Sequence, residues 1–266
     1  MEIQELRQKP HLSASSINSY LECGLQYKFS RIDKLKADFT ADVLVYGSTI
    51  HKTIEFVQLN RMAGDSTSVT DAAQFFEKHW RERAEDNADI QFGKGESFHS
   101  LLIQGKKLME LYISNLPETG YEVLALEEPF ELQLDDVDIP IIGVMDMVEE
   151  DESGTIIITD HKTAARAYST EEVDKNFQLT VYHMAARKNG YAGRDILMKF
   201  DCLIKTKNPR FEQFYTVRSE ESEIRAVKKI VSVWEGISKE VFIPNDNSWR
   251  CSTCSYKSHC ERWHQQ

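Results

Sequence analysis

The stretch "GVMDMVEEDESGTIIITDHKT", residues 143–163, decides the fold. Two apolar, β-branched runs flank a charged centre that ends in Ser153-Gly154, the pattern of two strands joined by a hairpin turn. A turn centred near Ser153 sets Asp146 and Asp160 opposite each other on adjacent strands, where partner Cβ atoms lie about 4.5–5.5 Å apart. Two carboxylates that close repel, and they tolerate burial best with a divalent cation between them. Side chains i and i+2 share a strand face, so Lys162 points the same way as Asp160. His161 points to the other face, but its backbone carbonyl is open to the same ion. A carboxylate pair, a carbonyl and an ammonium around one point suit metal-assisted phosphodiester hydrolysis, in which the metal activates water and the lysine steadies the attacking or pentavalent oxygens. Taken alone, D-x-K is a common tripeptide that also ends surface strands as an ordinary ion pair.

Outward from that hairpin, the chain alternates between two periods. "SASSINSYLECGLQYKFSRI" (13–32) reads as a helix capped by Ser13 or Ser15, with Ile17, Tyr20, Leu21 and Leu25 on its apolar face. A second helix starts near Gly47 and turns Ile50, Ile54 and Val57 inward. Residues 60–120 read as wholly helical around Phe76, Trp80, Leu101 and Leu108, apart from a polar, glycine-containing loop at 86–97. From Glu122 the period is two: strands are expected in "YEVLALEEPFELQL", "DIPIIGVMDMVEE" and "GTIIITDHKT". A helix at about 170–188 follows, then the strands "ILMKFDCLIKT" and "FEQFYTV" and a long helix at 219–239. Central strands between helices predict an α/β fold with a mixed sheet and helical cover.

Composition sets the outer bounds. The 266 residues carry a formal charge of −11, which excludes a protein coated in basic surface and confines any nucleic-acid contact to a local groove. No run approaches the roughly 20 apolar residues of a membrane span. The opening MEIQELRQKP lacks the apolar core of a signal peptide, so a cytoplasmic location is expected. Of five cysteines, Cys251, Cys254 and Cys260 fall in "CSTCSYKSHC", a spacing that in a reducing compartment points to a metal site rather than disulfides. Zinc on these three with His259 or His264 is one arrangement, although it leaves Cys23 unused. Cys202, inside an apolar strand, reads as a small core residue.

The ordered set of motifs resembles the PD-(D/E)XK nuclease superfamily in its RecB-like branch, which includes AddB-type and CRISPR-associated Cas-four-type exonucleases. "GVMDMVEEDESGTIIITDHKT" is similar to the G-x-x-D…D-x-K core, with Met145 where the superfamily's name places proline. "YGSTIHKTIE" resembles the upstream helix whose histidine is a metal ligand, here His51. "FQLTVYHMAA" resembles the Q-x-x-x-Y motif, matching Gln178 and Tyr182, which at i,i+4 share a helix side. "LSASSINSYLECGLQYKF" resembles the branch's opening helix with its first cluster cysteine, Cys23, and Cys251, Cys254 and Cys260 match the rest of an iron–sulfur staple.

The resemblance implies a single restriction-endonuclease-like domain over 1–266. Its parts are N-terminal helices (13–58), a helical insertion (60–120), a catalytic core (121–240) and a cluster-binding tail (241–266). It further implies a Mg2+ or Mn2+ held by His51, Asp146, Asp160 and the His161 carbonyl. Lys162, Gln178 and Tyr182 would complete the catalytic set, and Cys23 with the three tail cysteines would hold a [4Fe–4S] cluster. The implied activity is a DNA exonuclease acting on single strands or ends, alone or beside a helicase or CRISPR adaptation proteins. The competing expectation is a non-catalytic DNA-end or partner-binding module of the same fold. For DNA contacts, two basic clusters interleaved with aromatics stand out: "KFSRIDKLK" with Tyr27 and Phe29, and "IKTKNPRF" with Phe211 and Phe214.

Overall fold

The computed structural model describes residues 3–117 and 120–265. Five strands form its central sheet in sequence order: β1 (Tyr121–Leu132), β2 (Ile141–Asp151), β3 (Ile156–Ala164), β4 (Ile196–Ile204) and β5 (Arg210–Thr216). All neighbours are antiparallel except β3 and β4, which run parallel. That pair needs a crossover, and the helix after β3 supplies it. The β2–β3 hairpin turns as expected: Met147 pairs with Thr159 and Glu150 with Ile156. Asp151 Oδ1 accepts from the N–H groups of Ser153 and Thr155 at 2.9 Å each, while Gly154 takes the left-handed φ of +85° that the turn requires.

Helices cover both faces. One face packs against α1 (Ala14–Glu22), α5 (Phe177–Lys188) and α6 (Glu220–Ser238), around Ile17, Ile158, Leu179, Phe200 and Ile230. The other faces α2 (Asp42–Met62), α3 (Val69–Ala84) and α4 (Phe98–Ser114), around Tyr46, Ile50, Phe76, Trp80 and Leu108. The alternation of β3 explains the split, since Ile156 and Ile158 belong to the first core while Thr159 and His161 face the helical insertion.

Several boundaries differ from the sequence reading. The opening helix breaks at Cys23, whose extended backbone (φ −162°) both ends α1 and caps the short helix Gly24–Tyr27 through its sulfur. A π-helical turn, Lys28–Ile32, follows. Helix α2 begins at Asp42, five residues before Gly47, with Ala41 as an N-cap that offers no side-chain bond and with Asp42 Oδ1 accepting the Val43 N–H at 2.7 Å inside the first turn. Inside the loop expected at 86–97, between α3 and α4, Ile90–Gln91 pairs in parallel with Thr40–Ala41, which lies just before α2. The helix expected at 170–188 is two, Thr170–Asp174 and α5, with Asn176 capping the second.

The chain ends meet. Leu25 N–H bonds the Ile243 carbonyl at 3.4 Å, Asp38 N–H the Ser255 carbonyl at 2.7 Å, and Arg250 pairs with Glu22. A Cβ at Gly24 would sit 2.8 Å from the Ile243 nitrogen, so only glycine admits this approach. Helix α7 (Lys257–Trp263) closes the tail against the same region, with Ser258 bonded to Asp38.

Candidate active site

At the open end of the β2–β3 hairpin the regular ladder stops after Met147–Thr159. The next step of that register would oppose Asp146 and Asp160. There Asp146 Oδ2 accepts the His161 N–H instead, at 2.8 Å. The N–H and C=O of one strand residue point to the same side, so the His161 carbonyl faces Asp146 as well.

Helix α2 brings in His51, whose Nδ1 is 3.4 Å from Asp146 Oδ2. Strand β1 contributes Glu127, which the sequence reading passed over. Leu126 pairs with Met147 and Glu128 with Met145, so Glu127 falls opposite Asp146. It takes φ +48°, a left-handed backbone that is costly outside glycine and concentrates at functional sites. His51, Glu127 and Asp146 offer ligand atoms that all lie within 4.8 Å of one another. The available signal was "LALEEPFEL", where two consecutive acids interrupt the strand's alternation.

Asp160 is 1 % exposed and sits apart from that trio, drawn to Lys162 Nζ at 2.5 Å. The pair is an ion pair without hydrogen-bond alignment, so Asp160 Oδ2 is buried beside a charge yet has no aligned donor. Lys162 donates to Gln178 Oε1 at 2.9 Å, and Gln178 Nε2 donates to the Tyr182 hydroxyl at 2.7 Å. The i,i+4 spacing of the last two on α5 therefore forms one relay that holds the ammonium. Lys162 also lies 5.3 Å from the Phe200 ring centroid.

The electrostatics diverge among the carboxylates. Burial raises the Asp160 carboxyl, and the Lys162 charge only partly offsets that rise. Burial also acts to raise Asp146, but the bond and charge of His161 and the nearby His51 outweigh it and hold the group below its usual range. Glu127 is pushed up to about 7 by burial and by the charges of Asp146 and Glu55. For Lys162, burial is overcome by Asp160, so its ammonium is retained more firmly than usual. Glu127, Asp146 and the His51 imidazole, with Asp160 and the His161 carbonyl beside them, make a hard, oxygen-rich donor set that fits Mg2+ or Mn2+.

Behind the site, on the sheet face under the insertion, lies a buried charge network. Lys199 Nζ is 2.8 Å from Glu149 and 3.7 Å from Asp201, and Thr159 donates to Glu149 at 3.0 Å. His161 stands 3.9 Å from Asp201, and Gln213 donates to Asp201 at 2.9 Å. The β3–β4 register produces this by setting Thr159 beside Lys199 and His161 beside Asp201.

The tail cysteines and Cys23 line one cavity of about 180 Å3, with Leu25, Phe29, Pro244 and Tyr256 among its walls. Cys23 and Cys254 sulfurs accept from the N–H groups of Gln26 and Tyr256, each at 3.5 Å. Burial raises the Cys254 and Cys260 thiols, and the neighbouring cysteine sulfurs add to it. His259 is occupied on both ring nitrogens, by the Lys36 carbonyl and Arg262. His264 instead groups with Cys260 and Asp246, ligand atoms within 4.8 Å of one another. Cys202 is fully buried, as read from the sequence.

Neither basic cluster survives as a stacking surface. Tyr27 and Phe29 are each 5 % exposed and belong to packing. Phe211 and Phe214 lean on the two cores. Lys28 pairs with Asp33, Lys36 with Asp89, Arg210 with Glu212, and Lys205 lies over the Tyr46 ring. Four of these charges have partners in three dimensions, whereas Arg31 of the first cluster has none among the described residues.

Over 271 residues the chain is 24% identical to the Gene 69 protein of Mycobacterium phage D29, covering 94% of this chain and 96% of that protein. Its fold is similar to that of a provisionally named exonuclease from Eubacterium rectale, with a TM-score of 0.52 and 13% identity over 86% of this chain and 79% of the other. The sequence profile of the PD-(D/E)XK nuclease superfamily matches residues 11–261, a span that contains His51, Glu127, Asp146, Asp160, Lys162 and Gln178, and the chain belongs to that superfamily.

Proposed function

We propose that this protein is a divalent-metal-dependent deoxyribonuclease that cleaves phosphodiester bonds at the end of the β2–β3 hairpin. The observation that carries the reading is the convergence of His51, Glu127 and Asp146 within 4.8 Å beside a buried Asp160–Lys162 pair. His51, Asp146, Asp160 and the His161 carbonyl, joined by Glu127, would hold Mg2+ or Mn2+. When bound, that ion supplies Lewis acidity and a water of lowered pKa. Lys162, fixed between Asp160 and Gln178, presents a preorganised positive charge to the phosphoryl oxygens as their charge grows. Tyr182 holds Gln178 in place and so acts on the lysine from one step away. A non-catalytic module would have no use for this set, which favours the enzyme over a pure binding role.

The preferred substrate in this reading is DNA with free ends or single-stranded character, cut exonucleolytically, on its own or beside helicase or CRISPR adaptation partners. The four cysteines around one cavity suit a [4Fe–4S] cluster that ties the chain ends together, because the set uses Cys23. Zinc on Cys251, Cys254 and Cys260 with His264 is the alternative, since His259 is already engaged. A time course on end-labelled linear and on circular DNA with Mg2+ or Mn2+ tests the activity. Release of end nucleotides with circles left intact is expected. Absence of cleavage on every substrate overturns the reading, and nicking of circles replaces the exonuclease with an endonuclease.

A further inference from the structure

A second cavity, of about 550 Å3, lies against the far side of the Lys162–Gln178 relay and is lined by Arg7, His11, Ser15, Arg31, Gln178 and Tyr182 among others. Among the described residues no carboxylate lines it. The chain has thirteen arginines. Eleven are engaged by carboxylates, carbonyls, hydroxyls or a ring nitrogen. Arg7 and Arg31 are the two whose guanidinium groups have no hydrogen bond or ion pair among the described residues, and both stand at this cavity. In a chain with 43 acidic side chains, two unpaired guanidinium groups at one concavity mark a place kept for an anion. Arg31 is delivered by the π-helical turn Lys28–Ile32, a form that recurs at functional sites. The floor is a donor as well. Tyr182 is 5 % exposed, its oxygen accepts from Gln178, and its own proton has no acceptor among the described residues.

We infer that this cavity is a phosphate subsite, in which Arg7 and Arg31 grip a phosphate of the nucleic-acid strand neighbouring the one at Lys162. The inference rests on the nuclease reading above and adds to it the groups that set the strand's position. Guanidinium forks match phosphate oxygens in pairs, so the grip fixes register as well as affinity. The phosphate held is either an internal one or the terminal one of a DNA end.

The test measures binding of fluorescent single-stranded oligonucleotides, with and without a terminal phosphate, by anisotropy in Ca2+ across a salt series. Wild type is compared with R7Q, R31Q and the double variant, and melting temperatures are recorded alongside. Both side chains are exposed, so all variants are expected to melt as wild type does. Each substitution should weaken binding about tenfold and lower the slope of log affinity against log salt by about 0.7 for each guanidinium removed from a phosphate. Weakening confined to phosphorylated ends assigns the terminal phosphate, and equal weakening on both substrates assigns an internal one. A double variant with wild-type affinity and slope on both substrates overturns the subsite while leaving the nuclease reading standing. Arginine-dependent binding by a wild type that cuts no DNA in Mg2+ or Mn2+ does the reverse.

Discussion

In the proposed reading Asp146 holds the metal and Lys162 meets the phosphoryl charge, and their substitutions should separate the two roles. Asp146→Ala removes the carboxylate that His161 and His51 both address, so cleavage should vanish at saturating Mg2+ while circular dichroism shows the fold retained. Lys162→Ala should retain DNA affinity yet slow single-turnover cleavage roughly 100- to 1,000-fold, because its charge acts on the transition state. A loss of affinity with an unchanged rate at saturation would make Lys162 a phosphate anchor instead. Glu127 gives a pH signature in the metal-free protein. Its folded pKa, about 7, stands above its ordinary 4.5, so between those values the folded state holds more protons than the unfolded one. Stability therefore declines as pH rises from about 4.5 to about 7 and levels off beyond. Glu127→Gln should flatten that decline in thermal melts of metal-free protein, and an unchanged pH dependence would remove Glu127 from the explanation.

Strand packing explains why the motif is spelled as it is. A Cβ at Gly143 would lie 2.5 Å from the Phe130 ring, which itself meets Tyr182 edge-on with centroids 5.5 Å apart. Gly143→Ala should therefore cost about 1–3 kcal/mol by overpacking, measured by denaturant melts, and should also slow cleavage by disturbing the Tyr182–Gln178 relay. On the opposite face, Lys199 neutralises Glu149 and Asp201, all three nearly buried. Lys199→Met leaves two carboxylates without their cation and should destabilise by about 3–5 kcal/mol. "MKFDCL" reads as an apolar strand in the sequence, and the pairing of β4 between β3 and β5 is what turns its alternate residues into a charged layer.

Across the molecule, the N-terminal helices and the tail act as one unit through Cys23, Gly24, Asp38 and Glu22. A cluster on Cys23, Cys251, Cys254 and Cys260 would close a loop of more than two hundred residues, so its removal should loosen the fold rather than the chemistry. Anaerobically purified protein should contain about four irons per chain and absorb broadly in the visible, Cys23→Ser should lose both colour and stability, and Cys202→Ser should keep its colour. Stoichiometric zinc without iron would overturn the cluster and leave the nuclease site standing. No helix among the described residues is long and apolar enough to cross a membrane.

The sequence by itself determined the hairpin register, the i,i+4 relay of Gln178 and Tyr182 and the apolar faces of the helices, because these follow from local periodicity and turn chemistry. It also placed His51 on a helix, though not within reach of Asp146. Tertiary structure alone decided the rest. Glu127 became a candidate ligand only when β1 paired with β2, and Asp160 turned to Lys162 rather than joining the trio, since burial strengthens the nearest ion pair. Arginines and lysines clustered in one dimension became either paired or unpaired in three. That outcome depends on which carboxylates folding brings within a few ångströms, and spacing along the chain does not encode it.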